Sequence, residues 1–142
     1  MRIARILFML VGIGGLAYWL AAGPDKQVAQ TPDEPTTSLA IITVPESLSS
    51  SAQVGRVAFE AKCSVCHGVN AVGREDFAPP LVHKIYEPSH HGDEAFQRAV
   101  AIGVRQHHWP FGDMPPVEGL TRGDVAMIIA YVRELQRANG ID

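Results

Sequence analysis

Cys63-Ser64-Val65-Cys66-His67 holds both cysteines of a 142-residue chain, followed at once by a histidine. C-x-x-C-H is the attachment signal for a c-type haem, and each of its residues has a mechanical reason. Two thiols at this spacing can each add to one vinyl group of a single porphyrin edge. The histidine on the same turn can then ligate the iron from one face. The motif predicts one haem c, covalent through Cys63 and Cys66, with His67 as an axial metal ligand. Two other readings compete. A thioredoxin-type redox pair needs a βαβ context, and no strand pattern surrounds these residues. A structural zinc site needs further cysteines or paired histidines at set spacing, and the histidines elsewhere keep that reading open.

On both sides of the motif the apolar periodicity is helical. Ser49, Ser50 and Ser51 offer N-caps, and Val54, Val57, Ala58 and Ala61 follow as the expected apolar stripe of a helix leading into Cys63. Gly55 and Phe59 lie four apart on one face of it. Gly68 ends the motif turn, and 73–80 reads as a loop closing with Ala78-Pro79-Pro80-Leu81. A second helix is expected from Asp93, which can cap it, with Phe96, Ala99, Val100 and Val104 buried and Gly103 at its end. Residues 107–116 form a loop containing Trp109, Phe111 and Met114. Thr121 and Asp124 read as a capping box, with Asp in place of Glu. They open a last helix whose apolar face is Val125, Ile128, Ile129, Val132 and Leu135, with Gly140 just past its end. The pattern assigns no course to 82–92.

The N-terminus reads as a membrane segment. Arg2 and Arg5 precede an uninterrupted apolar run over 6–22, near the lower limit of roughly 17 residues for a spanning helix. A cut after Ala22 or Ala21 places Leu20 or Trp19 at −3, and a cut after Gly23 places Pro24 at +1. A cut after Ala17 is the alternative, but it strands Tyr18 and Trp19, which suit an interfacial belt. The favoured reading is an uncleaved anchor over 1–23, with the arginines on the cytoplasmic side and the rest exported. Residues 24–50, rich in Pro, Ser and Thr, read as a flexible linker, with an undecided apolar interruption at 39–44. The domain proper is 51–142.

The chain carries 12 Lys+Arg against 15 Asp+Glu, a net charge of −3. The first 23 residues hold two of the basic groups and no acid, so the remainder stands at −5. That excludes a nucleic-acid partner, which wants a basic face, and permits docking to a basic patch on a protein.

A six-coordinate haem needs a second ligand. Met114, in Gly112-Asp113-Met114-Pro115-Pro116, is the candidate, since a thioether opposite histidine raises the reduction potential and suits a carrier. The prolines stiffen its loop. His83, His90, His91, His107 and His108 are the competing ligands, for a bis-histidine haem or for a second metal such as copper. His90-His91 and His107-His108 are adjacent pairs, whose members point apart in a helix or strand, so each pair is expected to supply one ligand.

Residues 51–139 resemble a membrane-anchored class I c-type cytochrome, a small bacterial periplasmic monohaem cytochrome c. The resemblance rests on Gly55-x-x-x-Phe59, the C-x-x-C-H motif, Pro79-x-Leu81, Gly103, Met114-Pro115 and Tyr131. It implies an all-α cytochrome c fold of three main helices around one covalent haem, after an N-terminal transmembrane helix and a linker. It implies that the first and last helices cross at Gly55, with Phe59 and Tyr131 at the contact. It further implies that the Pro79 carbonyl supports the proximal histidine and that Leu81 packs on the haem. The implied role is electron transfer rather than catalysis. The haem domain would lie in the periplasm, tethered to the bacterial inner membrane, between partners such as a quinol-oxidising complex and a terminal oxidase or reductase. The histidine-rich stretch departs from the family pattern and leaves two alternatives: a metal-binding or sensor module, and a cytochrome subunit of a larger oxidoreductase.

Overall fold

A computed structural model describes residues 38–142. The expected anchor and the first part of the expected linker lie outside the described residues. Within them no helix is long and apolar enough to cross a membrane. Four helices follow in order, α1 (Ser50–Lys62), the short α2 (Ser64–His67), α3 (Asp93–Ile102) and α4 (Arg122–Ala138). Single 3-10 turns lie at Val69–Ala71 and Lys84–Tyr86. The described residues contain no strand, only two isolated bridges, Arg74 with Ala78 and Val104 with Met114.

α1 and α4 make the central packing. At Gly55 the two backbones meet: a Cβ there would sit 1.8 Å from the carbonyl oxygen of Met127. Any side chain would force the helices apart, so glycine sets the crossing point. One turn on, the rings of Phe59 and Tyr131 meet edge to face with centroids 5.6 Å apart, and both residues are fully buried. Such a pair adds roughly 1 kcal/mol beyond its burial. This crossing corrects the expected stripe on α1. Val54 and Val57 are 58% and 64% exposed, and the buried face is Ala52, Gly55 and Phe59. The small residues win that face because only they allow backbone to approach backbone.

The caps follow the residue chemistry. Ser49 caps α1, its Oγ accepting from Ala52 N–H at 3.2 Å. Ser49 is itself held by α4, donating N–H and O–H to the Glu134 carboxylate. At α4 the capping box closes: Thr121 Oγ1 accepts from Asp124 N–H, and Asp124 Oδ2 accepts from Thr121 N–H at 2.8 Å. Asp93 does not cap α3. Gly92 takes that place, and the Asp93 carboxylate pairs instead with Arg133 at 3.0 Å.

The apolar interruption at 39–44 packs on the domain. Ile42 and Leu48 lie against the core, and Thr43 exchanges two hydrogen bonds with the Asn139 amide at 2.7 and 2.8 Å. Ordered contacts of the domain thus begin before residue 51, inside the segment expected as linker.

The course of residues 82–92 is set by α4. Arg133 is buried and donates to the carbonyls of Tyr86 (2.7 Å) and His91 (2.6 Å) and to Gln136 Oε1. Its guanidinium also lies 5.0 Å over the Phe96 ring. Gln136, fully buried, donates to the carbonyls of Leu81 and Tyr86. A segment without regular structure must find donors for its buried carbonyls, since each one left unpaired costs about 1–3 kcal/mol. These two side chains supply them.

Replacing Arg133 by Met, which keeps the stem and removes the donors, is expected to lower stability by about 3 kcal/mol. Urea unfolding of the haem-loaded protein measures this, and Arg133→Lys recovers only part of it, because one ammonium cannot reproduce the guanidinium fork.

Candidate haem-attachment site

α1 hands directly over to the motif. Cys63 accepts at its carbonyl from Cys66 N–H (3.1 Å) and His67 N–H (2.9 Å), so one tight turn carries both sulfurs and the imidazole. Both cysteines are half-buried, and neither is in a disulfide. Burial, helped by the neighbouring Cys66, pushes the Cys63 thiol up to about 11. A redox-active thiol pair draws on a thiolate near neutral pH, which burial of Cys63 disfavours. The βαβ setting of a thioredoxin-type pair is also missing from the described residues.

His67 is buried, with Nδ1 2.9 Å from the Pro79 carbonyl. A carbonyl only accepts, so the proton sits on Nδ1 and Nε2 presents its lone pair. Burial lowers the His67 pKa, with the Pro79 bond opposing, and the neutral ring is the ligating form. The loop that brings Pro79 back is compact. Gly68 (φ +72°) leaves the motif, and Gly73 (φ +78°) passes so close to Pro80 N that a Cβ would lie 2.6 Å from it. Gly73 N–H donates to the His67 carbonyl at 2.7 Å, and Leu81 N–H donates to the Ala71 carbonyl at 2.9 Å. Asn70 takes the left-handed conformation (φ +56°), which asparagine tolerates better than most residues. Its side chain accepts the Tyr131 hydroxyl at 2.9 Å. Leu81 is half-buried against the core.

Met114 is positioned by a different segment. Val104 and Met114 exchange both backbone hydrogen bonds at 2.9 Å. Gly103 (φ +77°) makes room for this, since a Cβ there would lie 2.5 Å from the Met114 carbonyl oxygen. The intervening hairpin loop stacks Trp109 on Phe111, centroids 5.7 Å apart and nearly parallel.

Haem c calls for two thiols on one turn, an imidazole nitrogen beside them, apolar walls and donors for its carboxylates. The first two are in place at Cys63, Cys66 and His67. Among the described residues, two buried donors, Arg74 Nε and Trp109 Nε1, have no well-formed hydrogen bond, although the Tyr86 hydroxyl lies near Trp109. Such orphans suit a group that brings acceptors of its own. The residues therefore fit the prosthetic group.

The cytochrome c family model matches residues 52–136. The chain belongs to the cytochrome c family. Neither a curated protein nor a solved structure matches it. Haem c is therefore bound covalently through Cys63 and Cys66, and this cytochrome is a haem-based electron-transfer protein.

Sequence reasoning missed Arg133 and Gln136. They occupy positions where the 3.6-residue period of α4, running through Ile129 and Val132, calls for burial. A polar residue on a buried face, three from another, was the available signal. It also missed Asn70, whose left-handed backbone and bond to Tyr131 appear only with the fold.

Acidified organic solvent is expected to leave haem on the wild-type chain and to extract it from a Cys63→Ala/Cys66→Ala variant, as read from the visible absorbance of each phase.

Proposed function

We propose that this is a membrane-tethered monohaem cytochrome c with His67 and Met114 as axial ligands, carrying single electrons between respiratory partners on the periplasmic face of the bacterial inner membrane. The observation that carries the ligand assignment is the paired support of the two side chains. His67 is oriented through Pro79, and the Met114 backbone is locked to Val104 across the Gly103 approach.

When bound, the haem supplies a one-electron ferrous–ferric couple. The protein's residues set the conditions for it. The Pro79 carbonyl fixes the His67 tautomer and raises its basicity. Met114 sits between a two-bond backbone lock and two prolines, which would limit movement of the segment that presents its sulfur. Trp109 and Phe111 stack within that loop and add apolar surface to it. With His67 and Met114 both bound, the iron would have no vacant position, which would favour transfer over catalysis.

The competing histidines are engaged elsewhere. His83 accepts from Ile85 N–H and its ring abuts Trp109. His90, His91, His107 and His108 gather against one another. The tether rests on the apolar run 6–22 behind Arg2 and Arg5, and it would raise the local concentration of the domain at membrane partners. A quinol-oxidising complex as donor and a terminal oxidase or reductase as acceptor match that placement. The net negative charge of the exported part matches a partner with a basic docking patch.

Oxidised wild-type protein is expected to show a thioether-to-iron charge-transfer band. Met114→Ala is expected to lose the band, lower the reduction potential and let the reduced haem bind carbon monoxide. An unchanged spectrum would reduce Met114 to a packing residue. The full chain is expected to stay in the membrane pellet through a carbonate wash and to enter solution with detergent, whereas deletion of residues 1–23 with a cleavable export signal in their place yields a soluble periplasmic haem protein. Recovery of the full chain in the carbonate supernatant would remove the tether.

A further inference from the structure

Four of the six histidines meet on the surface, brought together from two loops far apart in sequence. His90 and His91 lie in the turn before α3, where both N–H groups donate to the Glu87 carbonyl. His107 and His108 lie in the hairpin loop between Val104 and Met114. Neither pair is in a helix or strand, and this corrects the expectation of one ligand per pair: in turns, adjacent side chains can converge. Ligating nitrogens of His90, His91 and His108 all lie within 4.8 Å of one another. The His107 ring stacks on His91 at 5.8 Å and lies 4.4 Å from the His108 ring.

We propose that His90, His91 and His108, with His107 beside them, form a binding site for a divalent transition-metal ion of the imidazole-preferring class, taking Cu²⁺ most tightly. Three observations carry this. First, the His90 and His108 Nε2 atoms stand 3.4 Å apart. Metal–imidazole bonds of about 2.0–2.1 Å in a tetrahedral site separate two ligand nitrogens by about 3.3 Å. Second, backbone carbonyls orient two of the rings. His91 Nδ1–H donates to Ile85 O at 2.7 Å, and His107 Nδ1–H donates to Arg105 O at 2.9 Å. Each ring is thus held in the tautomer with a free Nε2, the outer support that ligating histidines need. Third, hydrogen bonds hold the two loops that carry the rings. The hairpin loop is closed by Gln106 N–H to Asp113 Oδ1 and Gly112 N–H to Gln106 Oε1, and His91 is anchored through its carbonyl to Arg133. His90 and His108 are exposed and His91 is half-buried, and a three-histidine site leaves a position for water or an exogenous ligand. Imidazole donors select Cu, Zn or Ni over Ca or Mg, and the affinity order places Cu²⁺ first.

A bound ion would clamp the turn before α3 to the hairpin that ends at Met114. The site itself does not depend on Met114 ligating iron, so it stands or falls separately from the assignment of the haem ligands.

The test uses the haem-loaded full chain in detergent, stripped with a chelator and titrated with CuCl₂ or ZnCl₂ by calorimetry. One ion per chain is expected, with Cu²⁺ tighter. His90→Gln and His108→Gln should each weaken binding by about 100-fold or more, beyond the 10–100-fold loss typical of an outer-shell partner, and His83→Gln should leave it unchanged. The Cu²⁺ paramagnetic resonance spectrum should carry hyperfine splitting from at least three nitrogens. Binding that survives both glutamine variants, fewer than three nitrogens, or uptake no tighter than that of a His90→Gln/His91→Gln/His107→Gln/His108→Gln variant would overturn the proposal.

Discussion

The contact of Gly55 with the Met127 carbonyl organises the domain. It places α1 directly on α4, with no side chain between the two backbones. The Phe59–Tyr131 pair then closes the next turn, and the Tyr131 hydroxyl reaches Asn70 in the loop after the motif. Since Cys63 ends α1, the attachment turn inherits its position from this crossing. The loop after the turn is tied to the same helix through Asn70. Turn and return loop are thus held from α4, and the Pro79 carbonyl can meet His67 at 2.9 Å.

α4 does more than bury an apolar stripe. Along its length and at its C-cap it satisfies polar groups of four other segments. Tyr131 holds the loop at 70, Arg133 and Gln136 hold 81–91, Glu134 holds the cap of α1, and Asn139 holds Thr43. The physical need is plain. In a small helical domain the long connections have no sheet in which to pair their polar backbone, and buried carbonyls require donors. Polar side chains on one central helix meet that need, and each gives its loop a single conformation.

The hairpin from Val104 to Met114 joins two regions with different chemistry. Its base is the backbone lock that presents Met114, with Gly103 making room. Its loop carries Trp109 and Phe111 and also the two histidines that meet His90 and His91. His108 titrates below its ordinary range, chiefly from desolvation and then from the charges of His107, His91 and His90.

Much of this protein was legible in the amino-acid order alone. Cys63, Cys66 and His67 declare their chemistry by spacing, because attachment to one porphyrin edge is a local geometric demand. The helices around them, the Ser49 cap and the Thr121–Asp124 box follow from local propensity and capping, which also need no distant partner. Only tertiary structure decided the rest. Which face of α1 is buried depended on how closely α4 approaches, so Gly55 displaced the valine stripe. Gly92 takes the cap position, and Asp93 pairs with Arg133, forty residues on in the chain. The course of 82–92 and the meeting of the four histidines depend on side chains of α4 and on a hairpin closed at Gly103. Such contacts join segments whose separation along the chain carries no periodic signal, and so local pattern could not foretell them.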